Sequence, residues 1–375
     1  MKYCQKIYFG MPGTGKSHEV HENIIKNDLS VEDDENIINT VFHPEYSYGD
    51  FMGKLLPITN ASKQVEYNYY EGFFLKALAQ AYKSILSKEN KNVVLIIDEI
   101  NRGNSSAIFG SIFQLLDRDE NGWSSYSINI SDIELNKLVE LMNLEKDANS
   151  EKYRIKNSSS SYKILEELFS DTELNNLSLS SKQIKIPANL SIIGTMNTSD
   201  ESIYYMDSAF KRRWDWEYIN NYWGREKKYE EVCPDIFNEH TRANGTSYFI
   251  LKDLDSFIDT HGTKRWVSFI NSINKFLIEN SDIIRGVEDK QIGYWFIKPK
   301  KDESSNILLI PEDKIKNKLM FFLWDSVFSR DKEPLNKLLS TDENKIKLRT
   351  FGEFQDITDK FIIQIIEKYK DDSFQ

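Results

Sequence analysis

Hydrophobic positions along the chain follow two periods, and the change between them divides it. Up to about residue 220, short unbroken apolar runs alternate with helix-like segments. The run Val93, Val94, Leu95, Ile96, Ile97 is too short to span a membrane and reads as a strand buried on both faces of a parallel sheet. Residues 6–9, 190–196 and 214–218 read as further strands, and a helix over 105–116 would bury Ile108, Ile112, Leu115 and Leu116. More than seventy residues separate that helix from the strand at 190. Strand-like alternation at 123–130 and 183–186 predicts a hairpin, with helix-like stretches at 133–144 and 164–169 and a serine run at 158–161 between them. A structureless loop of this length is uncommon in a compact domain, so a small helical insertion is expected at about 124–182, as a partner contact, a substrate contact or a solvated decoration. Beyond Tyr218 the period becomes helical: Trp266, Phe269, Ile270, Ile273 and Leu277 recur, then Leu319, Phe322, Leu323 and Val327, then Phe361 and Ile365. The pattern predicts an α/β core over residues 1–220, a parallel sheet flanked by helices, followed by a helical lid over 221–375.

The chemistry sits where the strands end. The strand at 6–9 runs into Gly10-Met11-Pro12-Gly13-Thr14-Gly15-Lys16-Ser17, a full G-x-x-x-x-G-K-S/T pattern followed by a helix to about Ile25. Such a P-loop wraps a phosphate with backbone N–H groups, which the glycines Gly10, Gly13 and Gly15 permit together with Pro12 and Thr14. Lys16 would reach the β- and γ-phosphates and Ser17 would ligate Mg²⁺. The strand at 93–97 ends in Asp98-Glu99, adjacent carboxylates that repel one another unless a cation is near. Asp98 is thereby expected to hold the metal, and Glu99 to orient or deprotonate an attacking water. Their structural alternative is a solvated strand end or a helix cap. The strand at 190–196 ends in Asn197-Thr198-Ser199-Asp200, which taken alone is a turn. Beside the other two elements, Asn197 can hydrogen-bond both the water and a phosphate oxygen, as a sensor does in AAA+ enzymes. Finally, Lys211, Arg212 and Arg213 precede the strand at 214–218. They complement a helix end, or one of Arg212 and Arg213 reaches a neighbouring subunit's phosphates; spacing does not choose between the two.

Composition narrows the reading modestly. The 375 residues can hold one large or two ordinary cores. A net charge of −11 argues against a chain that coats nucleic acid over its whole surface. Cys4 and Cys233 form no C-x-x-C pair, and His18 and His21 flank one early helix, so zinc is not expected. With no signal peptide, long apolar segment or disulfide framework, the expected location is cytoplasmic, without membrane association.

These segments resemble the McrB branch of the AAA+ superfamily, the motor subunits of McrBC-type restriction systems. Residues 98–104 match that family's D-E-I-N-R-A/G-N, and 196–200 look like its M-N-T-A-D. Residues 207–214 are similar to D-x-A-L-R-R-R-F, and 42–51 to F-H-P-x-Y-S-Y-x-D-F. A weaker likeness to a lid signature lies in Gln291-Ile292-Gly293-Tyr294-Trp295-Phe296. The chain departs from the family at Ser199, Glu201, Lys211 and Trp214. The resemblance implies an AAA+ core and lid, a homo-oligomeric ring expected to be a hexamer, and an McrC-like nuclease partner through which DNA is reached. It also implies GTP as the substrate, with Asp200 as an acceptor for the guanine edge. The changes at Ser199 and Glu201 leave GTP and ATP both open, with a lean to GTP. The first strand begins close to Met1, so target recognition is expected from another polypeptide or from the insertion. Arg285 is a further lid candidate for sensing the γ-phosphate. Two rival functions are a MoxR-like protein-remodelling ATPase and a nucleotide-gated scaffold with little turnover.

Overall fold

The computed structural model describes residues 3–60, 62–197, 204–219, 265–297, 300–301, 308–310, 312–341 and 344–369. The chain forms two compact units. The first comprises Met1–Phe9, Ser17–Met196 and Asp200–Glu217; the second groups Gly10–Lys16 and Asn197–Ser199 with Tyr218–Gln375. Among the described residues no helix is long and apolar enough to cross a membrane.

The central sheet has five strands: β1 (Gln5–Gly10), β2 (Ile37–Val41), β3 (Val93–Asp98), β4 (Leu190–Asn197) and β5 (Asp215–Tyr218). Their spatial order is β5-β1-β4-β3-β2. β3 pairs in parallel with both neighbours, Leu190 to Gly194 opposite Val93 to Ile97 on one side and Ile37 to Val41 opposite Val94 to Asp98 on the other. β1 follows the same direction, since Cys4 bonds beside Ser191 and Ile192 while Ile7 lies against Gly194. The apolar residues of β3 are all buried, as are Leu190, Ile192 and Ile193 of β4, which is why these strands read as continuous hydrophobic runs. The helix Phe73–Leu86 covers the sheet through Phe74, Leu75, Ala77, Leu78, Ala81, Tyr82 and Ile85, the one-sided spacing of an amphipathic helix. This is an α/β P-loop core.

Two segments depart from the sequence-based expectation. The helix expected over 105–116 is α-helical only over Ser105–Phe109 and tightens to three residues per turn over Gly110–Leu116. The helix after the P-loop begins at Lys16–Glu19 and widens over Val20–Asp28, where Leu29 and Val31 donate back five and six residues instead of four. A hairpin that neither motif nor run predicts, Gly53–Thr59 with Val65–Glu71, stands between β2 and the helix at 73.

The insertion is structured and shares the main core. Ile128–Asn129 pairs antiparallel with Gln183–Ile184, and Ser124 and Ile130 extend the pairing by bonding Ile186 and Lys182. Between them lie the helix Asp132–Leu141, the short pair Leu144–Lys146 and Tyr153–Ile155, and the helix Leu165–Phe169. Leu138, Val139, Leu144, Phe169 and Leu174 are buried in the same cluster as Phe74 and Tyr82. These contacts make it part of the domain's packing rather than a solvated decoration.

Arg118 ties this insertion to the sheet. Its guanidinium donates to Gln5 Oε1 (3.1 Å) and to the carbonyls of Gly122 (2.8 Å), Ile186 (3.3 Å), Pro187 (3.0 Å) and Leu190 (2.8 Å). Burial pulls its pKa down, yet these neutral acceptors fill its planar fork. The second unit has its own core: the helix Arg265–Glu279 contributes Trp266, Phe269, Ile270 and Ile273, and the helix Thr358–Lys368 contributes Phe361, Ile362 and Ile365. Replacing Arg118 by Met keeps the stem and strands the acceptors, so unfolding in denaturant should show a loss of roughly 3 kcal/mol. An unchanged midpoint would remove the clamp from the account.

Candidate functional site

The P-loop, Gly10–Lys16, leaves the end of β1 in a conformation its glycines allow: Gly13 and Gly15 have φ of +80° and +78°, the left-handed region. Lys16 is folded across its own loop. Its Nζ donates to the carbonyls of Gly10 (3.0 Å) and Met11 (2.9 Å), while Thr14 Oγ1 donates to Met11 O (3.1 Å). Phosphate binding would require this ammonium to exchange carbonyl partners for phosphate oxygens. Ser17 follows in the first turn of the helix, exposed.

Register places the next groups. Gly194 lies opposite Ile97, so Thr195 comes beside Asp98, and its Oγ1 donates to Asp98 Oδ1 at 2.7 Å. On the other side, the Phe42 amide donates to the Asp98 carbonyl (3.0 Å). Immediately beyond, Glu99 adopts a φ of +54°, a left-handed conformation that a residue with a side chain holds at a cost of roughly 1–3 kcal/mol. The turn is closed by Arg102 N–H to Glu99 O (2.8 Å) and Ile100 N–H to Thr195 O (3.0 Å). Glu99 Oε2 also lies 3.3 Å from Arg102 Nε, a half-exposed ion pair. Asn104 then caps the helix Ser105–Phe109 by accepting from Ala107 N–H. Thr195 was not foreseen from the sequence. The available signal was its place two residues before Asn197, on the same face of a strand.

Residues 42–51 hold this edge from below. Phe42 is fully buried, with ring contacts to Tyr46 (4.9 Å) and Phe51 (5.7 Å). Ser47 and Asp50 close a capping box on the helix Tyr48–Phe51, and Tyr46 OH bonds Thr40 Oγ1 (3.0 Å). The exchange with Ser47, the Lys54 ammonium and the backbone keeps the Asp50 carboxyl below its usual range despite its partial burial, which acts the other way.

The cationic cluster resolves into unlike residues. Arg213 is nearly buried: its guanidinium binds Asp117 Oδ2 (2.8 Å), donates to Ala209 O (2.8 Å) and lies 3.9 Å from the centre of the Phe113 ring. These partners all lie within its own chain. Arg212 ends the helix Ser208–Lys211 and is exposed. Lys211 lies over the Tyr205 ring (4.9 Å). Asp207 caps the helix by accepting from Phe210 N–H (2.7 Å) and also accepts from Ser106 Oγ (2.9 Å); these bonds lower its pKa.

Asn197 ends β4, next to β3 in the sheet. Asp200, Thr198, Ser199, Glu201 and Cys233 lie outside the described residues. Arg285 is exposed in the second unit. No cluster of three or more His, Cys, Asp or Glu side chains suited to a metal occurs among the described residues. A Mg²⁺ ion nevertheless suits the donors available: Ser17 and Asp98 offer hard oxygen ligands, and such ions keep water and substrate phosphate for the rest of their shell.

No protein-family model matches the chain. It is 27% identical over 347 residues to the YdiS component of the type II restriction enzyme BsuMI of Bacillus subtilis (strain 168), a match covering 87% of this chain and 80% of that protein. It is 29% identical over 210 residues to the EcoKMcrB subunit of the type IV methyl-directed restriction enzyme of Escherichia coli (strain K12). That match spans 55% of this chain but 33% of the subunit's own length. Among solved structures, C. elegans PCH-2 aligns over 97% of this chain and 61% of its own, at 11% identity and a TM-score of 0.21. A score that low leaves the fold to be argued from the sheet itself. With the β5-β1-β4-β3-β2 sheet, the P-loop, the acidic end of β3 and the similarity to two restriction-system proteins, this chain resembles the McrB-like AAA+ proteins.

Proposed function

We propose that the chain is the motor subunit of a restriction system: a ring-forming NTPase that hydrolyses ATP or GTP and drives an McrC-like nuclease against foreign DNA. The observation that carries the hydrolytic part is the end of β3. Asp98 is gripped by Thr195, and Glu99 follows directly after it in a left-handed turn at φ +54°, so two carboxylates are held side by side at the carboxyl edge of the sheet. The restriction context rests on the two relatives, both components of restriction enzymes.

In this reading Lys16 gives up the Gly10 and Met11 carbonyls for the β- and γ-phosphates. Ser17 and Asp98 hold Mg²⁺, which would neutralise charge on the phosphate oxygens. Glu99 leaves Arg102 to accept a proton from water as the water oxygen bonds to the γ-phosphorus. The bond from that phosphorus to the β–γ bridging oxygen breaks, and the nucleoside diphosphate leaves with the electron pair. Asn197 orients the water. Arg212, exposed and, unlike Arg213, without an acidic partner among the described residues, acts in the neighbouring subunit. The intact Glu99 argues against a scaffold with little turnover.

Turnover of MgATP and MgGTP by the purified protein should be abolished by Lys16→Ala. Glu99→Gln should keep nucleotide binding and lose roughly 10²–10⁴-fold in rate; unchanged turnover would defeat the general-base assignment. For the arginines, Arg212→Ala should lower turnover by about 10³-fold or more with an unaltered melting midpoint. Arg213→Ala should instead destabilise by roughly 2 kcal/mol, through lost ion pairing and ring stacking. Mixing Arg212→Ala with Glu99→Gln protein should restore activity above either alone, because mixed interfaces pair an intact Glu99 with an intact Arg212. No recovery on mixing counts against action in trans.

A further inference from the structure

Residues 291–297 of the second unit lie directly on the P-loop. Gly293 N–H donates to Pro12 O (2.9 Å) and Trp295 N–H to Gly13 O (2.7 Å). These are backbone bonds to the loop that would carry the phosphates. The two segments meet backbone to backbone. A Cβ on Gly293 would sit 2.3 Å from Gly13 C and 2.4 Å from Thr14 N, and a Cβ on Gly13 would sit 2.4 Å from Phe296 N. Backbone atoms cannot swing aside as a side-chain tip can, so both positions require glycine.

The opposite side of this segment is pinned to lid helices. Asn274, buried in the helix Arg265–Glu279, bonds Ile292 twice, Nδ2 to the carbonyl (2.9 Å) and Oδ1 from the amide (2.8 Å). Trp266 Nε1 donates to Tyr294 O (2.7 Å), Tyr294 OH to Asn271 Oδ1 (2.8 Å) and Lys318 Nζ to Phe296 O (2.6 Å). The segment is therefore anchored by side chains on its outer edge and presents amides on its inner edge.

We infer that residues 291–297 form a strap that fixes the P-loop backbone for nucleotide binding, with Gly293 and Asn274 as positioning residues. The strap takes two carbonyls of the loop, Pro12 and Gly13, as partners, which biases the loop's amides toward the face left for phosphate. Reciprocally, a bound phosphate that orders those amides strengthens the strap's hold, since linkage between two events is mutual. The lid helix that carries Asn274 would sense nucleotide through main-chain bonds, without a charged sensor side chain.

This inference rests on the nucleotide-hydrolysing reading of the P-loop, and its test separates the two. Wild type, Lys16→Ala, Gly293→Ala and Asn274→Ala are compared for turnover of MgATP and MgGTP and for melting without nucleotide. If wild type neither binds nor hydrolyses either nucleotide, the functional reading itself fails. If wild type is active, Gly293→Ala should raise KM by about tenfold or more, with kcat at saturation within about threefold, the signature of lost binding rather than lost chemistry. Asn274→Ala should shift KM the same way by a smaller factor. A Gly293→Ala protein with a lowered melting midpoint but wild-type KM would overturn the strap and leave a merely structural contact. Should Gly293→Ala not fold, amide exchange in wild type decides. The peptide covering 291–297 should gain protection on adding MgATP or MgGTP, with no gain in Lys16→Ala. Unchanged exchange in wild type at saturating nucleotide sinks the inference.

Discussion

What the end of a parallel strand presents is decided by its register with its neighbours, and here one register governs the whole acidic edge. β3 lies between β4 and β2, with Gly194 opposite Ile97 and Val41 opposite Asp98. Thr195 thus meets the Asp98 carboxylate, and the chain beyond Val41 supplies the Phe42 amide to the Asp98 carbonyl. A shift of one residue along the strand would part Asp98 from Thr195 and draw its carboxylate back into the buried stretch of the sheet. That alternative is disfavoured by the burial of Val93, Val94, Leu95, Ile96 and Ile97, each contributing roughly 1.5–3 kcal/mol. The sum exceeds several-fold the roughly 1–3 kcal/mol of backbone strain at Glu99. The apolar run therefore holds the strained carboxylate where it is.

The same magnitudes explain how far the sequence was legible. Strands buried on both faces announce themselves as unbroken apolar runs, so β3, β4 and the P-loop between β1 and its helix could be read directly. Gly13 and Gly15 carry the positive φ that their pattern implies. The hairpin Gly53–Thr59 with Val65–Glu71 could not be read this way. Its apolar residues Leu55, Val65 and Tyr67 are exposed, so hydrophobicity there does not signal burial. Partners distant in sequence were equally invisible. Nothing near Arg213 names Asp117, 96 residues away, and nothing near the P-loop names Gly293. The insertion lies between these cases: its pairing ends were legible by alternation, but not its packing on Tyr82 or the Arg118 clamp.

The likeness of residues 42–51 to a known motif gains a physical account that excludes direct chemistry for Phe42. Phe42 touches Phe51 and Phe109, Phe109 touches Phe210, and Phe210 touches Trp214 and Phe113, with ring centres 5.2–6.3 Å apart. This aromatic seam runs from the Asp98 strand end to the helix Ser208–Lys211. Close-packed interiors deform little, so the seam fixes the arginine-bearing helix relative to the end of β3.

The seam also explains why neighbouring arginines differ. Phe113 stacks on Phe210 and lies under the Arg213 guanidinium, while Asp117, just past the end of Gly110–Leu116, supplies the counter-charge. Arg213 is held from three directions once its bond to Ala209 is included. Its backbone amide bonds Phe210 O, and that of Arg212 bonds Ser208 O, so the turn linking the two residues has little freedom. With one side chain drawn inward, a side chain one residue earlier on a tight turn emerges on a different bearing, and Arg212 is exposed. Burying Arg213 is thus the means by which Arg212 is presented outward. For the proposed role of Arg212 in a neighbouring subunit, such a fixed root would matter more than partners of its own, because a fork already oriented loses less freedom on binding phosphate.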